Sequence, residues 1–265
     1  MGLKAVVCFQ ARTGSSRFPG KILKRIGDKS VLEYIVHRLS YCKEIDDIVF
    51  TTSTAESDRA LVEIAKGLGI KYHTGPEEDI LTRLIGAGHE ANADAVVRVL
   101  GDCPFVDPKL VDKAVALYRK MHNETDMVNN FYPPTFPDGL DIDVTSIKAM
   151  EKLDSMLPEG DFYRAWWLSY MFEHPTDFKV HCFKHPKHLA HIRLTMDHPD
   201  DLALICEIHK RFSDAGKDMF YLDDIMELLE RDPALCDINR HHIDTNVVDG
   251  VRSAAYHSLK PKKTK

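Results

Sequence analysis

The chain of 265 residues lacks the features that mark several classes of protein. Its six cysteines are scattered without a Cys-x-x-Cys pair, which is typical of reduced thiols in a cytosolic protein. No apolar run approaches the ~18 residues of a membrane span, and no basic stretch followed by a long apolar one opens the chain. The net charge of −6 is opposite in sign to that of proteins that coat nucleic acids. We therefore expect a cytoplasmic protein with neither a membrane nor a nucleic-acid partner.

The loop QARTGSSRFPGK, residues 10–21, lacks the spacing of the two common phosphate-binding motifs. A Walker A loop has four residues between its glycines and a Ser or Thr after Gly-Lys. Here five residues separate Gly14 from Gly20, and Ile22 occupies the hydroxyl position. Pro19 also stiffens a segment in which such a loop uses free backbone amides. The Rossmann fingerprint fails too, because Gly14 is the only glycine of the loop before Gly20.

The same loop nevertheless carries a dense set of hydrogen-bond donors and charges. Gly14, Ser15 and Ser16 offer backbone amides and hydroxyls, while Arg17 and Lys21 offer positive charge. Such a set suits a triphosphate, whose oxygens accept from amides and whose charge is met by cations. The alternative is a solvated turn between a strand and a helix.

Short apolar runs alternate with helical patterns over the first half of the chain. Strands are predicted at KAVVCF, DIVFTTS, IKYHT and AVVRVL, and helices at SVLEYIVHRL, ESDRALVEIAKGLG and EEDILTRLIGAGHEA. Ser30 and Glu33 form a capping box at the first helix. Three successive strand–helix–strand units predict an α/β fold with a mostly parallel sheet. Ligands bind such sheets at the carboxyl ends of the strands, where the opening loop and the GDCPF segment would both lie.

The pattern changes from about residue 128, where NNFYPPTFPDGLDIDV is too rich in turn residues for another such unit. Helices are then predicted at SIKAMEKL, DFYRAWWLSYMFEH, PDDLALICEIHKRF and YLDDIMELLER, and strands at FKVHCF and HIRLTM. We predict a single domain over residues 1–259, with an insertion at about 128–190 and a disordered tail at 260–265.

Five stretches together resemble one enzyme family. They are QARTGSSRFPGK, GPEEDILTR at 75–83, VRVLGDCPFVDP at 97–108, FPDGLDIDV at 136–144 and RLTMDHPDDL at 193–202. In order and spacing they are similar to the cytidylyltransferases that activate sugar acids, and most narrowly to the spore-coat-polysaccharide branch. The resemblance implies a Rossmann-like nucleotidyltransferase fold, a mostly parallel mixed sheet flanked by helices, with an inserted acceptor and dimerisation region. It also implies transfer of CMP from CTP to an acceptor with release of pyrophosphate.

The resemblance also implies where CTP and a metal bind. Nucleotidyl transfer depends on positioning and charge neutralisation, usually with Mg²⁺ held by carboxylates. Asp102 and Asp197 are the implied Mg²⁺ ligands, although Asp102 also suits a turn and Asp197 a helix cap. The predicted catalytic residues are Lys21, Arg12 and Asp102. The predicted CTP-binding residues are Ala11, Arg12, Gly14, Ser15, Arg17, Lys21, Asp79 and Arg83.

Asp79 and Arg83 lie one helical turn apart and would contact the cytosine, or would form a surface ion pair instead. Asp141 and Arg164 are predicted to bind the acceptor. Asp141 and Asp143 also form a DxD pattern, which supports an alternative: a metal-dependent glycosyltransferase that uses a nucleotide sugar. A third hypothesis is a nucleotide-binding protein without catalysis.

Two segments bear on the identity of the acceptor without deciding it. The spore-coat branch has an Arg-Glu-His-Val run where this chain has DFYRAWWLSYM, so Trp166 and Trp167 are either helix core or part of an acceptor or dimer surface. The histidine-rich stretch 181–191 is an anion-binding patch or a solvated loop, because Pro186 breaks the spacing that a zinc site would need. We expect a small acidic acceptor, a sugar acid, phosphate or phosphonate, and a homodimer.

Overall fold

The computed structural model describes residues 2–243, so the predicted tail at 260–265 and the predicted domain end at 259 lie outside the described residues. The strands are β1 Ala5–Gln10, β2 Arg25–Ile26, β3 Lys29–Ser30, β4 Asp47–Ser53, β5 Lys71–Gly75, β6 Ala95–Leu100, β7 Met127–Asn129, β8 Asp143–Ser146 and β9 Val180–Cys182. The α-helices are α1 Val31–Leu39, α2 Arg59–Gly67, α3 Ile80–Glu90, α4 Pro108–Met121, α5 Ile147–Met156, α6 Trp167–Glu173, α7 Pro199–Asp214 and α8 Leu222–Arg231.

A seven-stranded sheet in the order β5-β4-β1-β6-β8-β7-β9 organises the fold. Neighbours from β5 to β6 are parallel, β8 is antiparallel to both β6 and β7, and β7 is parallel to β9. The ends of β1, β6 and β7 therefore share one edge of the sheet with the beginning of β8. This arrangement confirms the predicted α/β fold and gathers the loops that follow those strands.

Two hydrophobic layers cover the sheet, because side chains alternate along each strand. On β1, Val7 and Phe9 face a layer to which α1, α4, α7 and α8 contribute. Val6 and Cys8 face the other layer, to which α3, α5 and α6 contribute. All four side chains are fully buried. Within residues 2–243, no helix combines the length and apolarity needed to cross a membrane.

Local signals account for several element boundaries. The capping box is confirmed: Ser30 Oγ accepts from the Glu33 amide at 3.3 Å, and Glu33 Oε2 accepts from the Ser30 amide at 2.6 Å. The helix α4 is not among the predicted elements, although an aspartate cap at Asp107 followed by Pro108 is a helix-start signal.

Two predicted elements differ in the structure. DFYRAWWLSYMFEH is not one helix, because a 3₁₀ turn at Phe162–Arg164 precedes α6. HIRLTM is not a strand; it makes only an isolated bridge, between Arg193 and Asp138. The reason is that this segment hydrogen-bonds to the 136–140 loop rather than to the sheet. Gly139, at φ +95°, allows the close approach, since a Cβ there would lie 2.4 Å from the Thr195 amide nitrogen.

Candidate active site

A cavity of about 560 Å³ opens at the sheet edge where β1, β6 and β7 end and β8 begins. Segments distant in sequence meet there: the loop after β1, the start of α3, the ends of β6 and β7, and the residues before and within α6. Ten of the twelve residues predicted to bind CTP, the acceptor or the metal line it: Ala11, Arg12, Gly14, Ser15, Arg17, Lys21, Arg83, Asp102, Asp141 and Asp197. Trp166 and Trp167 line it as well, whereas Asp79 and Arg164 do not.

The opening loop is tied down by Asp58, a residue that the sequence analysis missed. Asp58 Oδ1 accepts from the Thr13 amide at 2.8 Å and from Thr13 Oγ1 at 2.7 Å. Asp58 Oδ2 accepts from the hydroxyls of Thr52 and Ser53 at the end of β4. Burial alone would raise the pKa of Asp58, but these hydrogen bonds outweigh it and lower the pKa. The carboxylate thus fastens the loop to the sheet.

We expect Asp58→Ala to loosen the loop. The substitution leaves the Thr13 amide and three hydroxyls without their acceptor, which should cost about 2–3 kcal/mol of unfolding free energy. Urea denaturation measures that cost. Binding of the predicted nucleotide should weaken as well, because the loop would no longer be held in place. Thr13→Val, which removes a single hydroxyl, is the matched control and should cost less than half as much; an equal loss in both variants would contradict the anchor.

Lys21 lies between two carboxylates at the centre of the cavity. Its Nζ is 3.0 Å from Asp102 Oδ2 and 2.8 Å from Asp197 Oδ1. The Lys21 side chain is only 13% exposed. Burial would lower the pKa of Lys21, but Asp102 and Asp197 outweigh it and raise the pKa, so the ammonium stays charged at neutral pH. The same contact holds the pKa of Asp197 below its ordinary value despite the burial of that carboxyl.

The two carboxylates fit a divalent cation. They come from different segments, one after β6 and one before α7, yet both converge on the same positive charge. A second cation reaches the pair from the loop, since Arg17 Nη2 lies 2.8 Å from Asp197 Oδ1. Oxygen ligands with this convergence are what Mg²⁺ prefers in proteins. Asp102 and Asp197 are therefore the residues that would hold it.

Asp201 positions Asp197, and the sequence analysis missed it too. Arg193 donates to both oxygens of Asp201 at 2.8 Å, and Asp201 Oδ2 also accepts from the backbone amides of Asp197 and His198 at 2.9 Å. The Asp201 side chain is fully buried. Burial would raise the pKa of Asp201, but Arg193 and the amides outweigh it and lower the pKa. These contacts therefore fix the backbone that carries the Asp197 carboxylate.

The lowered pKa of Asp201 makes a prediction about stability and pH. A carboxyl whose pKa falls on folding stabilises the protein above its unfolded pKa, near 3.8, and loses that contribution as pH falls through the folded value. The unfolding free energy of wild type should therefore exceed that of Asp201→Asn most at pH ~7. Urea denaturation at a series of pH values below about 4 should show the gap closing. A gap that stays constant with pH would contradict the assignment.

Two predicted CTP contacts, Arg12 and Arg83, sit beside the loop. Arg12 Nη1 pairs with Glu77 Oε1 at 2.7 Å and with Glu78 Oε1 at 3.3 Å, and its side chain is 43% exposed. Arg83 donates to the backbone carbonyls of Pro76 and Glu77, and its buried Nε has no partner among residues 2–243. Both guanidinium groups therefore contact residues 76–78, the segment just before α3.

Asp79 and Arg164 have structural partners. Asp79 caps α3 by accepting from the Thr82 amide at 2.9 Å, and its other oxygen accepts from Arg164 Nε. Arg164 also donates to Asp154 and to the Leu157 carbonyl, so it ties α3 to α5. The anticipated pairing of Asp79 with Arg83 is thus replaced by a pairing with Arg164. The predicted contacts of Asp79 with cytosine and of Arg164 with the acceptor stay predictions.

The two aspartates of the DxD pattern differ in environment. Asp141 lines the cavity, whereas Asp143 is fully buried and its Oδ1 accepts from Arg98 Nε at 2.7 Å. Burial raises the pKa of Asp143, and the nearby Arg98 opposes that rise. A metal held jointly by both aspartates would require Asp143 to leave this pair. The buried ion pair with Arg98 therefore weighs against a metal held by Asp141 and Asp143 together, which the glycosyltransferase alternative needs.

Aromatic rings cover the side of the cavity away from the loop. Tyr132 stacks on Phe172 with ring centroids 4.1 Å apart, and Phe131 meets Phe172 edge-on at 6.0 Å. Trp166 stacks on Phe162 at 6.1 Å, while Trp167 is 2% exposed and packs in the core. The two tryptophans thus differ: Trp166 borders the cavity, as an acceptor surface would, whereas Trp167 is mainly a core residue.

The histidine-rich stretch lies elsewhere. His185, Lys187 and His191 line a separate cavity of about 940 Å³. In the described part of the chain, the group of three side chains that could share a metal ion lies outside this stretch. It consists of Asp200, His241 and His242, whose ligand atoms are within 4.8 Å of one another.

A family model, two sequence relatives and a solved structure each match most of this chain. Residues 6–219 match the model of a family described as Cytidylyltransferase. The uncharacterized protein MJ1063 of Methanocaldococcus jannaschii is 33% identical over 239 residues, which are 89% of this chain and 95% of that protein. The spore coat polysaccharide biosynthesis protein SpsF of Bacillus subtilis is 27% identical over 234 residues, 84% of this chain and 93% of SpsF. The structure of a cytidylyltransferase from Leptospira borgpetersenii has a TM-score of 0.84 and 29% identity, covering 88% and 97% of the two chains.

Proposed function

Because the chain belongs to the cytidylyltransferase family and is thereby a CTP-dependent nucleotidyltransferase, we propose that it transfers CMP from CTP to a small acidic acceptor and releases pyrophosphate. The family membership confirms the resemblance drawn from the five motifs. A role in polysaccharide biosynthesis fits the similarity to SpsF, a spore coat polysaccharide biosynthesis protein.

The observation that carries the proposal is the convergence of Lys21, Asp102 and Asp197 beneath the loop. Nucleotidyl transfer needs a cation-rich cradle for the triphosphate next to carboxylates that can hold a metal. The loop supplies the cradle, since Arg12, Arg17 and Lys21 all line the cavity. A solvated turn would not explain why Lys21 is buried between two acids.

The proposed reaction follows from this geometry. An acceptor oxygen forms a bond to the α-phosphorus of CTP, while the bond from that phosphorus to the leaving pyrophosphate breaks and the acceptor proton passes to solvent. Mg²⁺, when bound at Asp102 and Asp197, would neutralise the charge that develops on the phosphate oxygens. Lys21 is placed to bind the phosphates beside the metal, and Arg12 and Arg17 to orient the departing pyrophosphate.

Pyrophosphate release from each of the four NTPs tests the proposal, with Mg²⁺ and a panel of sugar acids, sugar phosphates and phosphonates. We expect release from CTP with at least one acceptor, and its loss when EDTA removes the metal. Hydrolysis of a nucleotide sugar without release from CTP would favour the glycosyltransferase alternative. Binding of CTP without turnover on any acceptor would favour a non-catalytic role.

We also propose that the enzyme is a cytoplasmic homodimer. Strand β9 is an edge strand, which within residues 2–243 pairs with β7 alone, and edge strands can pair with a second copy of the chain. The six cysteines are free thiols, as suits a reducing compartment. Light scattering should give twice the 30.1 kDa of one chain. A single-chain mass across the accessible concentration range would contradict the dimer.

A further inference from the structure

Arg98 is held in the floor of the cavity by a cross-strand ion pair. Arg98 on β6 and Asp143 on β8 are direct partners in the antiparallel register, so their side chains leave the same face of the sheet. The Nε–Oδ1 distance is 2.7 Å, and the two side chains are 11% and 0% exposed. The guanidinium is therefore oriented by a buried acid rather than free to rotate.

The pair leaves the other end of the guanidinium available. Asp143 accepts from Nε, and no residue of the 2–243 range accepts from Nη1 or Nη2 of Arg98. Arg98 lines the cavity, with its guanidinium carbon 5.8 Å from the centroid of the Phe131 ring. Two parallel N–H donors on a fixed plane are the geometry that binds a carboxylate through both oxygens.

The charges around Arg98 select among anions. Four of the lining cations, Arg12, Arg17, Lys21 and Arg83, belong to the loop or lie beside it. On the aromatic side, Arg98 is the one lining cation of the described residues. Asp143 is paired with it, and Asp141 is close enough to act electrostatically on Asp143. A dianionic phosphate or phosphonate would face two acids and one cation there. A monoanion is repelled less and still receives both donors.

This inference rests on the proposed function: we propose that Arg98, positioned by Asp143, binds the carboxylate of the acceptor and makes the enzyme selective for carboxylic acids over phosphates and phosphonates. The aromatic side, with Tyr132 stacked on Phe172, then packs against the carbon face of the acceptor. In this proposal Arg98 has the acceptor-binding role that the sequence analysis predicted for Arg164. The guanidinium of Arg164 is instead paired with Asp79 and Asp154.

The test compares matched acceptors on matched variants. The acceptors are hexuronic and ulosonic acids, each with its carboxamide and its phosphonate analogue, assayed for pyrophosphate release from CTP. The variants are Arg98→Lys and the double substitution Arg98→Gln with Asp143→Asn, which removes the ion pair without leaving a buried charge unpaired. Calorimetric titration with CTP checks that the nucleotide half is intact.

Wild type should use a carboxylate at least about 100-fold better in kcat/KM than its carboxamide or phosphonate. The double variant should lose most of that preference through the acceptor KM while the affinity for CTP changes less than about threefold, and Arg98→Lys should retain part of it. A double variant that keeps the preference, or a wild type that prefers phosphonates, overturns this inference but not the transferase activity. No pyrophosphate release from CTP with any acceptor would instead overturn the proposed function itself.

Discussion

Lys21→Ala should lower kcat/KM for pyrophosphate release by at least ~30-fold, which corresponds to about 2 kcal/mol of transition-state stabilisation. The reason is that Lys21 is the buried cation closest to both proposed metal ligands, so its charge acts where the α-phosphate charge develops. Steady-state kinetics with CTP and a competent acceptor measure the loss. Lys21→Arg keeps the charge but not the compact ammonium, and should recover only part of it.

Lys24→Ala is the matched control for this substitution. Lys24 is an exposed lysine three residues further along, with its Nζ over the Phe18 ring and outside the cavity lining. Its removal should leave kcat/KM within about twofold of wild type. The Lys21→Ala protein should also bind Mg²⁺ no more weakly than wild type, because the ammonium no longer competes for Asp102 and Asp197. Turnover near wild type in Lys21→Ala would remove Lys21 from the catalytic site.

Asp102→Ala should cost at least ~2 kcal/mol in the same assay, because one of the two proposed metal ligands is lost. Asp102 is the cleaner of the two carboxylates to test. Its side chain contacts Lys21 and the Cys103 thiol, while its backbone carbonyl still accepts from the Met196 amide and the Thr195 hydroxyl. The fold around it should survive, and raised Mg²⁺ concentration should restore part of the rate.

The control for Asp102→Ala is Asp28→Ala, in which an exposed acid outside the cavity lining is removed. It should keep kcat/KM within about twofold of wild type. Equal losses in the two variants would mean that general negative charge, rather than metal binding at Asp102, supports the rate. An Asp102→Ala enzyme with unchanged dependence on Mg²⁺ would contradict its role as a ligand.

Sequence alone predicts the parts of this protein whose signals are local. DIVFTTS forms β4 over the predicted seven residues, because it is an apolar, β-branched run bounded by polar residues. The Ser30–Glu33 capping box sets the start of α1, since both partners lie within one turn. The loop and the GDCPF segment meet because parallel strands bring their carboxyl ends to one edge, which the alternation of strands and helices already implies.

Contacts between distant residues account for what the sequence did not reveal. HIRLTM alternates like a strand, yet Arg193 pairs with Asp138, 55 residues away. Asp58 fastens Thr13 across 45 residues, and Arg164 reaches Asp79 across 85. No periodic pattern encodes such pairings. The acceptor side of the cavity depends on them most, which is why Arg98 went unnoticed while Lys21 and Asp102 did not.

The destination of the α-phosphorus of CTP tests the central claim most directly. The wild-type enzyme is incubated with Mg²⁺, a competent acceptor and CTP labelled either on its α- or on its γ-phosphorus. We expect the α-label to appear in the acceptor product and the γ-label in pyrophosphate, since an acceptor oxygen attacks next to Lys21 and the pyrophosphate leaves. Transfer of the γ-label to the acceptor, or retention of both labels in one nucleotide product, would contradict cytidylyl transfer at this site.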